Sequence, residues 1–262
     1  MIWWHAVLIA LAGVWAGMIN TVVGSGTLVT FPVLVALGYP PVTATTSNAI
    51  GLASGSISGA IGYRHELRGQ RQRLLSFLPA SLVGAVCGAV LLLSLPPDAF
   101  ETIVPVLVGL AVVLVIVQPR VSSWVLRRRE ERERRHGASG PGLGGSVLVI
   151  TLIFLIGVYG GYFTAAQGVM LMAVMGMLLD ESLQRLNGVK NALSAVVNVV
   201  AGTVYAFVAP VDWAVVALLA VGSIVGGLLG AKVGRKLSPT ALRSVIVVVG
   251  VAAMVQLILR QL

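Results

Sequence analysis

The chain has 262 residues, 57 % of them apolar and only 10 % charged, against about half and about a quarter in a soluble domain. So little charge cannot cover a surface that faces water, and the net charge of +9 sits in short clusters between long apolar runs. This excludes a soluble enzyme, a disordered chain and a nucleic-acid module, and it points to an integral membrane protein.

A helix needs about 20 apolar residues to cross the hydrocarbon core. The first run, 3–23, has no cationic stretch before it and no small-residue cleavage site, so it is read as a retained helix. Trp3 and Trp4 stand at its start as interfacial anchors do. It ends in a polar, glycine-rich stretch from Asn20 to Thr27, and the apolar run that follows, 27–38, is too short to span. Runs at 46–63, 74–95 and 99–118 complete a first transmembrane repeat, 1–118. The stretch 119–145, basic and then glycine-rich, is read as a cytoplasmic linker. A second repeat, 146–262, opens with the run 146–164. A polar break from Tyr162 to Gly168 and a second short run, 168–179, come next. Runs at 190–208, 212–231 and 240–260 close the chain. The predicted fold is all-α and polytopic: two inverted repeats, eight long transmembrane helices and two short broken or re-entrant segments.

Charge and repetition support the inversion separately. If each short segment returns the chain to the side its preceding helix came from, every Lys and Arg of the 18 except Arg260 faces the cytoplasm, with both termini outside. At an offset of 142, Ser81, Gly84, Gly88 and Pro97 match Ser223, Gly226, Gly230 and Pro239. At 143, Asn48-Ala49 matches Asn191-Ala192. Five segments per repeat is an odd number, so the halves insert in opposite orientations. Inverted repeats with broken helices are a transporter architecture, with substrate bound at mid-membrane between the halves.

Non-helical backbone at membrane depth survives only where it is buried or lines a wet cavity. Both breaks open a short helix, whose N-terminus offers free N–H groups and the positive end of a dipole. The expected ligand is therefore a small anion. Ser25, Thr27, Asn48, Gln167 and Asn191 are expected to hydrogen-bond it, with backbone N–H groups at Gly26 and Gly168. Asn20 and Gly24 belong to the same break, and Lys190 lies near the cytoplasmic mouth, where it attracts anions or simply anchors the helix. Packing glycines, with Ser25 and Thr27 as helix caps, are the structural alternative. Asn48 and Asn191 can equally cap backbone freed by the breaks.

The carboxylates map to loops or segment ends, so no buried proton relay or cation cage is expected. His5, His65 and His136 are terminal or in loops, so no metal is expected, nor any other cofactor. Cys87, the one cysteine, excludes a disulfide framework. A serine hydrolase at Gly24-Ser25-Gly26 lacks a histidine at depth to act as base. The expected partners are the small anionic substrate and the lipid bilayer, with no nucleic acid. A passive anion channel and a non-transporting scaffold are the rival functions.

Ala16-Gly17-Met18-Ile19-Asn20-Thr21-Val22-Val23-Gly24-Ser25-Gly26-Thr27-Leu28, followed by Phe31-Pro32, has a familiar pattern. So do Ser47-Asn48 with Gly62-Tyr63-Arg64, Gly160-Gly161-Tyr162-Phe163 with Gln167-Gly168, Arg185-Leu186-Asn187 with Lys190-Asn191, and Val221-Gly222-Ser223 with Gly226-Gly227. Taken together, these motifs resemble the sulfite exporter TauE/SafE family of bacterial membrane transporters, over nearly the whole chain. The resemblance implies a multi-pass protein of the inner membrane that carries sulfite, an organosulfonate or a related sulfur-containing anion.

Overall fold

A computed structural model describes residues 2–136, 147–233, 243–244, 246–252 and 254–255. These residues form helices and connecting turns, with no strand among them. The elements are α1 (Trp3–Val22), α2 (Thr27–Ala36), α3 (Pro41–Gly62), α4 (Arg71–Ser94), α5 (Pro97–His136), α6 (Val147–Tyr162), α7 (Gln167–Leu178), α8 (Leu183–Val208) and α9 (Trp213–Val233). The backbone is again helical at 246–252, where Ile246 joins the same core cluster as Val108 and Val112 of α5.

Among the described residues, five helices are long and apolar enough to cross a membrane: Trp3–Val22, Arg71–Ser94, Pro97–Trp124, Leu183–Val208 and Trp213–Lys232. Helix α3 has 22 residues, but Thr45, Thr46, Ser47, Asn48, Ser54, Ser56 and Ser58 lower its hydropathy. Helices α2, α6 and α7 are shorter apolar helices of 10, 16 and 12 residues. Outward-facing positions stay apolar, as at Val106, Val221 and Phe207, which suits a protein surrounded by lipid rather than water.

Three boundaries differ from the hydropathy reading. Helix α3 begins at Pro41 rather than 46, with proline in its first turn, where the missing N–H costs nothing. Helix α8 begins at Leu183 rather than 190, with Ser182 as N-cap accepting from Arg185 N–H. Hydropathy cannot see polar helical turns, so Asn48 and Asn191 lie well inside their helices rather than opening them. Helix α5 runs on to His136 through residues assigned to the linker, because Arg and Glu are good helix formers. The rest of that linker, 137–145, lies outside the described residues, as do 234–242 and most of the last run's end.

Helices α3 and α8 pack against each other at the centre. Helix α9 lies along α1 and α3, and α4 lies along α6 and α8. Small residues permit the close seams. A Cβ added to Gly226 would collide with Val14 O, and one on Gly88 with Val158 O. Helix α2 packs on α1 and α3, and α7 on α6 and α8. Eight of the ten residues of α2 are buried, so a helix too short to span is enclosed by protein instead of ending in lipid.

Candidate functional site

Each half of the chain contains a helix stop followed by a restart, and the two stops touch. Helix α1 ends at Val22, and Gly24 follows with φ +93°, a backbone shape that suits glycine. Helix α6 ends at Tyr162. Thr164 and Ala166 then take φ of 64° and 58°, uncommon for side chains with a Cβ and a genuine outlier for a β-branched residue. Gly168 N–H donates to Gly24 O at 3.0 Å. A Cβ on either glycine would stand 2.5 Å from the other's Cα. The breaks therefore cross backbone on backbone, and only glycine fits at the crossing. Phe31 of α2 meets Phe163 edge-to-face at 5.3 Å beside it.

Next to the crossing stand Ser25, after Gly24, and Gln167, before Gly168. Ser25 is fully buried and Gln167 is 2 % exposed. The Ser25 Oγ and both the Oε1 and Nε2 of Gln167 have no hydrogen-bond partner. The two positions are 142 residues apart, one of the offsets of the sequence repeat. Tyr159 and Tyr162, on the last turn of α6, also bury hydroxyls without partners. Such groups are rare in folded proteins, and each costs about 1–3 kcal/mol unless something hydrogen-bonds it. Neither Ser25 nor Thr27 caps a helix: the N-cap of α2 is Gly26, with no side-chain cap bond.

Lys190 is the largest departure from the sequence reading. It is not at a cytoplasmic mouth but fully buried on α8. Its Nζ donates to Asn20 O and Thr21 O, each at 3.0 Å. Asn187 Nδ2 and Asn191 Nδ2 donate to the same Thr21 O at 3.4 and 3.3 Å. Three side chains of α8 thus satisfy carbonyls that α1 leaves open where it stops. The Lys190 stem runs past the crossing, its Cδ 3.1 Å from where a Cβ on Gly168 would lie. Among the described residues no carboxylate pairs with this ammonium.

The other expected site residues have protein partners. Asn48 Nδ2 donates to Thr27 Oγ1 at 3.1 Å, and Asn48 Oδ1 accepts from Thr30 Oγ1, so Asn48 ties α3 to the first turn of α2. Asn20 Nδ2 donates to Ser56 Oγ at 3.0 Å. The Gly168 N–H, expected to face a ligand, is used by Gly24 O. Gly26 lies against α1, where a Cβ would meet Ala16 O. The sequence reading overlooked Ser56 and Asn198, both buried and joined by Asn198 Nδ2→Ser56 Oγ at 3.1 Å. Their signal was present: they too are 142 apart, and Asn187, Asn191, Ser194 and Asn198 recur at helical spacing.

Two polar clamps flank this centre. In one, Gln70 Nε2 donates to Arg185 O at 3.1 Å, while Glu181 pairs with Arg73 at 3.1 Å and Arg185 at 3.0 Å. Arg185 is thus a member of an ion-paired cluster. Partial burial raises the Glu181 carboxyl, but the Ser182 N–H, Arg73 and Arg185 outweigh it and hold the carboxyl below the usual carboxylate range. In the other clamp, Thr46 Oγ1 donates to Pro210 O at 2.6 Å and Asp212 N–H donates to Ser47 Oγ at 2.9 Å. Each clamp holds the start of α3 or α8 to a loop of the other half.

These helix breaks lie within a match to the sulfite exporter TauE/SafE family that covers residues 9–257. The chain belongs to this family. The chain is also similar to proteins named as probable membrane transporters. A "probable membrane transporter protein ORF9" of Sinorhizobium sp is 25 % identical over 243 residues, covering 93 % of this chain and 88 % of its own length. The "probable membrane transporter protein YfcA" of Escherichia coli K12 is 25 % identical over 235 residues, covering 89 % and 82 %. A "probable membrane transporter protein" of Haemophilus influenzae is 22 % identical over 235 residues, covering 89 % and 86 %. No solved structure matches this TauE/SafE chain. It is a multi-pass membrane protein of a transport family.

Proposed function

We propose that the protein is a secondary transporter of a small anion in a bacterial inner membrane, with sulfite, an organosulfonate or a related sulfur-containing anion as cargo. One observation carries the reading: Ser25 and Gln167, buried and unpartnered, flank the point where two helix breaks cross, beside a buried lysine that no carboxylate among the described residues pairs with. A hydroxyl and an amide can both donate to an oxyanion, and the Lys190 charge makes the local potential positive. Asn20, Thr27, Asn48 and Asn191 hold the breaks in place around them, and Gly24, Gly26 and Gly168 let the backbones approach. The preference for sulfur oxyanions comes from the family.

An inverted-repeat arrangement of the two halves, with both termini outside, fits this role. Exchanging α1 with α6, α2 with α7, α3 with α8 and α4 with α9 leaves the pattern of packed helix pairs among these eight unchanged. The two clamps close opposite ends of the central α3–α8 pair. Opening one at a time would expose the buried pair alternately to either side, as transport by rocking of one repeat against the other requires.

The test is flux in proteoliposomes with sulfite, sulfate, a sulfonate and a carboxylate, comparing wild type with Gln167→Met and Ser25→Ala. Removing an unpartnered buried amide should leave thermal stability unchanged or raised. Losing a hydrogen bond to a charged ligand costs about 1.5–3 kcal/mol, so anion affinity should fall roughly tenfold to a hundredfold in Gln167→Met. Wild-type flux in both variants would place the site elsewhere. Uptake that stays linear with concentration and carries current would make the protein a channel.

A further inference from the structure

The carbonyls at the end of α1 and the lysine that covers them define a second site, distinct in chemistry from the anion site. A helix C-terminus has a partial negative charge. Here that charge faces the same crossing as Ser25 and Gln167, where it opposes an incoming anion. In transporters built from inverted repeats, the C-terminal ends of half-helices and unwound backbone carbonyls coordinate the coupling cation. In this protein the position is taken by a side chain: the Lys190 ammonium lies 3.0 Å from both Asn20 O and Thr21 O, fully buried. Asn187 and Asn191 donate to the same Thr21 oxygen. The Asn187 Oδ1 is a further buried acceptor without a partner in this cluster.

We infer that the Asn20–Thr21 carbonyl pair is a monovalent-cation site that the protein fills with its own tethered cation, Lys190. The oxygens are spaced for N–H···O hydrogen bonds to an ammonium. A lysine-sized vacancy there should therefore take ammonium or methylammonium more readily than Na+. A tethered cation cannot dissociate on either side of the membrane, so the wild-type protein has no use for a free alkali ion at this position. The consequence for flux rests on the anion-transport reading; the site itself does not.

The experiment uses the purified full-length protein. Lys190→Ala opens the site, while Lys190→Met fills it with a neutral chain. Thermal unfolding is followed in ammonium, methylammonium, Na+ and N-methylglucamine chlorides at equal ionic strength. Lys190→Ala should melt several degrees below wild type and regain part of that loss in ammonium or methylammonium, whereas wild type and Lys190→Met should melt alike in all four salts. Absence of any ammonium-specific rise in Lys190→Ala overturns the inference. A Na+-specific rise in the wild-type protein also overturns it, and this arm stands even if the alanine variant does not fold. In proteoliposomes with sulfite as probe, wild-type flux should be the same in Na+, K+ and N-methylglucamine media, and a requirement for Na+ overturns the inference as well. If sulfite moves but Lys190→Ala ignores ammonium, the cation site falls and the transport reading stands. If Lys190→Ala responds to ammonium but none of the anions moves, the cation site stands and the transport reading falls.

Discussion

Gly24→Ala should disable this protein for two separable reasons, and two other glycines allow each to be measured alone. Gly24 and Gly38 both have φ +93°. At Gly38 an added Cβ meets nothing within 4 Å, whereas at Gly24 it stands 2.5 Å from Gly168 Cα and 2.7 Å from Gly168 C. Gly38→Ala therefore reports the backbone cost alone, about 1–2 kcal/mol. Gly168 does not have a positive φ, and its Cβ would meet Gly24 Cα at 2.5 Å and the Lys190 stem at 3.1 Å. Gly168→Ala thus reports the close approach alone, about 1–3 kcal/mol for an overpacked contact. Gly24→Ala combines both, for roughly 2–5 kcal/mol in all. Because the contacts at both glycines are mainly with backbone, the neighbouring atoms cannot rotate aside as a side-chain end would. The assay is apparent melting temperature in detergent at one fixed scan rate, since unfolding of such proteins is often irreversible, alongside sulfite flux. Melting should fall in the order Gly38→Ala, Gly168→Ala, Gly24→Ala, or with the first two exchanged, and flux should be lost only at the crossing. If Gly24→Ala melts like Gly38→Ala and transports as well, the two breaks do not touch and the site geometry is wrong.

Asn48→Ala removes the bonds to both Thr27 and Thr30, so it should cost about 1–3 kcal/mol of stability at about 0.5–1.5 kcal/mol per bond, and should impair flux as well. Unchanged melting would show that Asn48 does not hold α2. The Glu181 carboxyl is held below its usual range by Ser182 N–H, Arg73 and Arg185. Its contribution is therefore present above the ordinary carboxylate pKa and lost as pH falls through the depressed value. The melting difference between wild type and Glu181→Gln should be full at pH 7 and vanish in strong acid; a difference that does not change with pH would refute the ion-paired clamp. For topology, single cysteines at Arg68 and Arg127 in a Cys87→Ser background should resist an impermeant thiol reagent in intact cells, while one at Asp98 should label. Ready labelling at 68 and 127 would reverse the orientation.

The amino-acid sequence by itself determined the class of the protein and the location of its breaks. Hydropathy is a sum over neighbours along the chain, so α1, α4, α5, α8 and α9 were legible as long apolar runs, and α2 and α7 as short ones. Polar residues interrupting such runs marked both breaks, which is why Ser25, Gly26, Gln167 and Gly168 stood out. The same local sum hid the first turns of α3 and α8, because their polar helical residues look like loop, and it ended α5 at the first charges. What the sequence could not determine was which partner each polar group takes. Lys190 reads as a surface lysine because a charge is costly in an apolar interior. Only tertiary packing brings it to the open carbonyls of Asn20 and Thr21, about 170 residues away, where helix-end oxygens offset that cost. Asn48, with donor and acceptor both satisfied by α2, and Ser25 and Gln167, with neither satisfied, cannot be told apart in sequence. The difference depends on contacts across the fold, where burial removes water as the alternative partner and each polar group must find another in the protein or in a ligand.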